Sequence, residues 1–183
     1  MRRSFMLHGG AAAALSAAAL VLAALTWLPG ALPLIEPAWP MVTVFCLALL
    51  LFLAALARQF ATGADRSAQW QAFRCLPGRV QAGLGFLLAS SAVIIVLGFV
   101  AAGDQRLQDA EAREGRYVAY DTSVPTDRAV ELTRDEYLAL LPSGRRMMFV
   151  VPGLLSATAA ALVLAAGELR RADAASAVRR RRR

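Results

Sequence analysis

The apolar and polar positions along the chain form four long apolar stretches separated by short or charged links. The apolar stretches cover residues 10–28, 41–57, 80–102 and 147–167, and none contains Asp, Glu, Lys, Arg or His. A helix of roughly 17–25 residues crosses the ~30 Å hydrocarbon core of a bilayer, because each residue rises about 1.5 Å. The pattern therefore predicts four transmembrane helices.

The link between the first and second spans carries helix-breaking residues. Residues Pro29–Pro40 include four prolines, and Trp27 and Trp39 lie at the two ends of the link. Proline removes a backbone donor and clashes with the preceding turn, so it does not continue a helix. Tryptophan is enriched at the two interfaces of a bilayer. We therefore expect a tight hairpin whose two tryptophans lie at one membrane surface.

The link between the second and third spans, residues 58–79, is polar and rich in arginine. Asp65 is predicted to cap a short helix over Arg66–Leu76. Trp70 and Phe73 lie three residues apart and therefore share one face of this helix. Two interpretations stay open, a helix lying on the inner leaflet and an ordinary loop with two aromatic anchors.

The segment between the third and fourth spans, residues 103–146, is the only part outside the spans that is large enough to form a specific surface. Its first stretch, Asp104–Glu114, is polar and is predicted to prolong the third helix. Arg116–Tyr120 and Ala129–Thr133 are rich in aromatic and β-branched residues, which predicts two short strands. Turn-forming residues lie between them, so a β-hairpin is expected.

A short helix is expected to follow this hairpin. Thr133–Glu136 matches a loose form of the capping box, which places a carboxylate near the first backbone amides of a helix. The helix is predicted to run through Tyr137 and Leu141 and to end at Pro142–Gly144. Because an isolated two-stranded hairpin is only marginally stable, we expect it to pack on the helix, the membrane surface or a partner.

The charges are divided unequally between the two sides that four spans create. The net charge is +7, and all 20 basic residues are arginines. If the N-terminus lies inside, 13 arginines and 3 acidic residues are inside, whereas 7 arginines and 10 acidic residues are outside. Positive charge favours the cytoplasmic side, so both termini are expected to be cytoplasmic. Arg145 and Arg146, immediately outside the fourth span, oppose this assignment.

The first residues allow a second interpretation. Arg2–Leu7 resembles the start of a twin-arginine export signal. The apolar core is long and no clean A-x-A site follows it, so an uncleaved first span is favoured over a removed signal. The use of arginine without lysine, together with abundant alanine, indicates a GC-rich bacterial genome. The expected location is therefore a bacterial cell membrane.

These elements predict an all-α membrane protein. It would be an antiparallel four-helix transmembrane bundle with a small extracytoplasmic α+β insert, a β-hairpin plus a short helix, between helices 3 and 4. Residues 1–102 would hold the first three helices, 103–146 the insert, and 147–183 the fourth helix and a basic cytoplasmic tail.

The order of these elements resembles that of small uncharacterised membrane proteins of actinobacteria. The insert residues that carry the resemblance are Gly115–Val118 and Glu131–Tyr137. The resemblance implies a cell-membrane location, and it implies nothing about an activity.

The chain offers few residues for catalysis or metal binding. One histidine and two cysteines exclude a multi-histidine metal centre, a four-cysteine zinc site and a disulfide scaffold. No phosphate-binding glycine loop, G-x-S-x-G or H-E-x-x-H motif occurs, and no cofactor is expected. Cys46 is expected to fill core space, and Cys75 to be a free thiol. For Ser90 and Ser91 in the third span, packing is favoured over a substrate contact.

The fourth span carries a stripe of small residues. Gly153, Ala157, Ala161 and Ala165 recur every four residues and therefore lie on one face. Small residues let helix backbones approach closely in a membrane. Packing within the bundle is the favoured interpretation, while a subunit interface and chance stay open.

Two groups of residues are candidate contact sites. Arg179, Arg180, Arg181, Arg182 and Arg183 are predicted to contact anionic phospholipid, because a basic cluster beside a membrane attracts it. The same charges attract nucleic acid, but lipid is the nearer partner, so no nucleic-acid partner is expected. The candidate contacts for a membrane or extracytoplasmic protein are Tyr117, Tyr120 and Tyr137, for which packing within the insert is the alternative.

Three function classes follow. A non-catalytic partner-binding, assembly or sensing protein is favoured, because the one elaborated segment lies outside the spans. A small transporter or channel is the alternative, which the absence of charged residues in the spans disfavours. A membrane enzyme is the weakest, because no nucleophile–base pair can be assembled from these residues.

Overall fold

Four of the helices in the structure are long and apolar enough to cross a membrane. The computed structural model describes residues 3–28, 38–63, 65–103, 107–113, 115–121 and 128–181. The elements are α1 (Arg3–Leu25), α2 (Trp39–Phe60), α3 (Arg66–Arg74), α4 (Gly78–Gly103), β1 (Leu107–Arg113), β2 (Arg116–Asp121), β3 (Arg128–Leu132) and α5 (Arg134–Arg181). The membrane-length helices are α1, α2, α4 and α5. Three of the predicted apolar stretches lie within α2, α4 and α5, and α1 covers residues 10–25 of the first stretch. The hairpin predicted at Pro29–Pro40 lies mostly outside the described residues.

The short helix α3 begins where its cap was predicted. The Asp65 carboxylate accepts hydrogen bonds from the backbone amide of Ala68 at 2.8 Å and from the Ser67 hydroxyl at 3.0 Å. These bonds hold the pKa of the Asp65 carboxyl below its usual value, the Ala68 amide having the larger effect. The helix ends at Arg74 rather than at the predicted Leu76. The Gln81 side chain donates a hydrogen bond to the carbonyl of Arg74 at 2.9 Å.

The prediction that Asp104–Glu114 prolongs the third helix is wrong. Helix α4 ends at Gly103, and residues Leu107–Arg113 form strand β1, which pairs antiparallel with β2. A change of register between Gln108 and Glu111 accommodates this strand. Pairing with β2 gives the polar stretch ladder hydrogen bonds, so tertiary context overrides its weak helical preference.

The insert is therefore a three-stranded antiparallel sheet in the order β1-β2-β3. The predicted hairpin of β2 and β3 is confirmed, with Tyr117 opposite Leu132 and Tyr120 opposite Ala129. Its connection, residues 122–127, lies outside the described residues. Helix α5 contacts all three strands, so the sheet packs on a helix as the hairpin was expected to.

Helix α5 does not end at Pro142–Gly144, and that prediction is also wrong. The helix has 48 residues in all, and both Pro142 and Pro152 lie inside it. Each proline costs one backbone hydrogen bond. The continuous helix offsets this cost by burying side chains on both sides of the first proline, including Leu141, Phe149 and Val150. The Ser143 hydroxyl also donates to the Leu140 carbonyl at 2.8 Å, within the turn that holds Pro142.

Helix α5 contacts each of the other long helices. Its residue Arg170 lies beside Phe5 of α1, and its residue Arg146 lies beside Thr26, which directly follows α1. The two helices therefore run in opposite directions. Similarly, Leu84 of α4 belongs to a buried cluster with Val163 of α5, whereas Ile94, further along α4, belongs to one with Phe149, so α4 also runs opposite to α5.

The contact between α1 and α5 is close because small residues face it. A Cβ atom on Gly9 would lie 2.7 Å from two side-chain carbons of Leu164, and one on Gly153 would lie 3.2 Å from Leu20. Within the predicted small-residue stripe, Gly153, Ala157 and Ala165 are buried and Ala161 is half-buried. The stripe thus lies largely inside the molecule.

We predict that Gly9→Ala is less stable than Gly10→Ala, because the new methyl group at residue 9 forces the Leu164 side chain to shift. Overpacking of this kind typically costs ~1–3 kcal/mol. The neighbouring Gly10→Ala is the matched control, since a Cβ there meets nothing within 4 Å. Thermal unfolding of the purified protein in detergent measures the difference, and Leu164→Ala should restore the Gly9→Ala variant. Equal melting temperatures for the two alanine variants would contradict the close contact.

Candidate interaction surface

A capping box joins the sheet to α5. The Glu136 carboxylate accepts hydrogen bonds from the backbone amide and the hydroxyl of Thr133, both at 2.8 Å, and the Thr133 hydroxyl accepts from the Glu136 amide at 3.3 Å. The Thr133 amide, followed by its hydroxyl, holds the pKa of the Glu136 carboxyl below its usual value. Because β3 ends at Leu132 and α5 starts at Arg134, this cap fixes the angle between strand and helix.

The tyrosines predicted as partner contacts lie at the junction of sheet and helix. The rings of Tyr117 and Tyr137 stack with their centroids 4.7 Å apart. Tyr137 is only 6% exposed, whereas Tyr117 and Tyr120 are half-buried. The structure thus gives Tyr117 and Tyr137 a packing role, and a partner contact by any of the three stays a prediction.

The exposed part of the sheet is polar and carries both signs of charge. Arg116 of β2 and Glu131 of β3 form an ion pair at 3.0 Å, with side chains 75% and 71% exposed. Exposed pairs of this kind contribute ~0–1 kcal/mol, so this pair matters more to the surface than to stability. We define the sheet surface by the strand residues that the structure describes as exposed, which are Glu111, Ala112, Arg116, Ala129 and Glu131.

A buried arginine joins α5 to the two residues that directly follow α1. Arg146 is 7% exposed, and its Nε donates to the Thr26 hydroxyl at 2.9 Å. Its guanidinium carbon lies 4.1 Å from the centroid of the Trp27 ring, within the range of a cation–π contact. From the sequence alone, Arg146 stands out only as a positive charge on the outer side of the fourth span, where the positive-inside rule disfavours it. Trp27, at the outer end of the first span, is the one sequence feature that points to a contact for it.

Its neighbour Arg145 contacts a different helix. The Arg145 Nη1 atom donates to the Met41 sulfur at 3.3 Å, which joins α5 to the beginning of α2. Two successive arginines of α5 therefore hold two helices at the same end of the molecule.

The residues considered for chemistry lie apart from one another. Among residues 3–28, 38–63, 65–103, 107–113, 115–121 and 128–181, no group of three His, Cys, Asp or Glu side chains is placed to hold a metal ion. The Ser91 hydroxyl donates to the Leu87 carbonyl of its own helix at 2.8 Å, as a packing serine does. Cys46 and Cys75 are both exposed, so the expectation that Cys46 fills core space is wrong.

The basic tail continues α5. Arg179, Arg180 and Arg181 belong to the last turn of the helix. Their side chains, and all of Arg182 and Arg183, lie outside the described part of the chain. The lipid contact of this tail stays a prediction.

No protein family, curated protein or solved structure matches this chain. The resemblance to actinobacterial membrane proteins therefore remains a prediction from the insert residues.

We predict that Arg146→Ala destabilises the protein by ~2–4 kcal/mol, because a charged hydrogen bond and a desolvated cation–π contact are lost together. Arg134→Ala is the control, since Arg134 is an exposed arginine of the same helix. Unfolding in detergent followed by fluorescence measures both. A double-mutant cycle with Trp27→Ala should show coupling between the two positions. The absence of coupling, or a loss no greater than for Arg134→Ala, would contradict this role.

Proposed function

We propose that the chain is a multi-pass membrane protein of a bacterial cell membrane, with α1, α2, α4 and α5 as an antiparallel transmembrane bundle. Their length and hydropathy support membrane placement. The excess of arginine in the link 58–79 and in the tail supports cytoplasmic termini. The sheet would then lie on the outer side of the membrane.

We propose further that the protein has a non-catalytic partner-binding, assembly or sensing role, with the sheet surface as its contact. The continuity of α5 carries this proposal. At about 1.5 Å per residue its 48 residues extend ~72 Å, more than twice the ~30 Å hydrocarbon core. One end is fixed to β3 by Thr133 and Glu136, and the other carries the basic tail. A contact at the sheet would thus act directly on a continuous helix that reaches the cytoplasm.

A small transporter or channel is the second candidate. The hydroxyls of Ser16 in α1 and Ser156 in α5 favour it, because both are buried without a hydrogen-bond partner in the described structure. The absence of charged residues from the four apolar stretches disfavours it. A flux assay on the protein in liposomes distinguishes a transporter from a contact protein.

The native cysteines predict a simple labelling result for topology. Cys75 lies in the link between α3 and α4, which the proposal places inside. A membrane-impermeant maleimide should therefore label Cys75 only after the cells are permeabilised. In a Cys46→Ala, Cys75→Ala background, Ala129→Cys on the sheet surface should be labelled in intact cells. Labelling of Cys75 in intact cells would reverse the orientation.

Photo-crosslinking tests the partner role. A photoreactive residue at Ala129, on the sheet surface, should give a specific protein adduct in native membranes. The same residue at exposed Gln71 of α3, on the opposite side of the proposed membrane, is the control and should not give that adduct. Recovery of only the monomer and lipid from position 129 would count against a partner-binding role.

A further inference from the structure

Three helices meet around the ring of Phe5, at the cytoplasmic end of the proposed bundle. Phe5 of α1 is 4% exposed. The guanidinium carbons of Arg58 in α2 and Arg170 in α5 lie 4.9 Å and 5.5 Å from the centroid of its ring. Arg58 also donates to the Ser4 carbonyl at 3.1 Å. We define Phe5, Arg58 and Arg170 as the inner cationic site.

Two positive charges are thus held beside one aromatic ring without a described counter-charge. Within the described ranges, neither Arg58 nor Arg170 has a carboxylate oxygen within 4.0 Å, and the neighbouring Glu168 pairs with Arg171 at 3.7 Å. The face of an aromatic ring attracts each cation but carries no net charge. Both guanidinium groups lie within 5.5 Å of one ring centroid, so their like charges repel, and an anion that contacts both would relieve the repulsion.

The position of the site identifies the kind of anion. Arg58 directly follows the apolar stretch 41–57, and Arg170 lies within one helical turn of the end of 147–167. Both guanidinium groups are therefore at the depth where the phosphates of the inner leaflet lie. Deeper in the proposed membrane, Leu7 of α1 and Leu53 of α2 are exposed apolar side chains that acyl chains would cover.

We propose that the inner cationic site binds the phosphate of an anionic phospholipid. Guanidinium groups bind phosphate oxygens in pairs of parallel hydrogen bonds, and their planar shape lets them stack on an aromatic ring at the same time. Lipid bound here would join the ends of α1, α2 and α5. This site is separate from the basic tail, and it rests on the proposed membrane placement.

Lipid retention by the full-length protein in non-ionic detergent tests the proposal. Native mass spectrometry counts retained phosphatidylglycerol and, as the neutral comparison, phosphatidylcholine. We expect a preference of at least tenfold for phosphatidylglycerol, which Arg58→Gln with Arg170→Gln should abolish. The control is Arg66→Gln with Arg79→Gln, which removes two exposed arginines from the same side and should keep the preference.

Further measurements separate the remaining outcomes. An equal loss in both double variants would overturn the site in favour of general charge attraction. Displacement of the lipid by millimolar inorganic phosphate would show that a soluble anion is the ligand and would overturn the lipid assignment. If the double variant does not fold, Arg170→Gln alone replaces it, because Arg170 is exposed. Failure of the membrane placement is seen separately, as release of the chain from membranes by alkaline carbonate.

Discussion

The close contact between α1 and α5 is the interaction on which the rest of the structure depends. Lipid is as apolar as a leucine side chain, so helices in a membrane gain little from burying apolar surface against each other and associate through tight packing. Gly9 and Gly153 permit that packing at two levels, against Leu164 and Leu20 respectively. Because α5 also contacts α2, α4 and the sheet, it positions every other element relative to α1.

Two of the sequence predictions succeeded because they rested on local physical rules. The apolar stretches identify the membrane-length helices, since hydrocarbon excludes charge over a fixed length of chain. Asp65 and the Thr133–Glu136 box identify helix starts, because the unpaired amides of a first turn need an acceptor close in sequence. The resulting hydrogen bonds join residues only two or three positions apart, so a short segment of the sequence contains both partners.

The failures arose where distant residues decide the conformation. Leu107–Arg113 becomes a strand because β2 offers it a partner, and its own composition contains little sign of this. Pro142 does not end α5, because burial on both sides of it outweighs one lost hydrogen bond. The contacts of Arg146 with Trp27, and of Arg58 and Arg170 with Phe5, join residues more than fifty positions apart in the chain. Helical periodicity and charge counts therefore do not predict which arginine contacts which aromatic ring.

The aromatic–arginine contacts also determine how α1 and α5 are aligned along their length. Phe5 and Trp27 lie near the two ends of α1. Their rings contact Arg170 and Arg146 of α5 respectively. At about 1.5 Å per residue, the aromatic pair is ~33 Å apart and the arginine pair ~36 Å apart, both close to the ~30 Å hydrocarbon thickness. In the proposed membrane placement, sliding α5 by one turn would break both contacts and draw one guanidinium into hydrocarbon, where a charge is costly. The small residues thus set the distance between the two helices, and the arginines at their ends set the register.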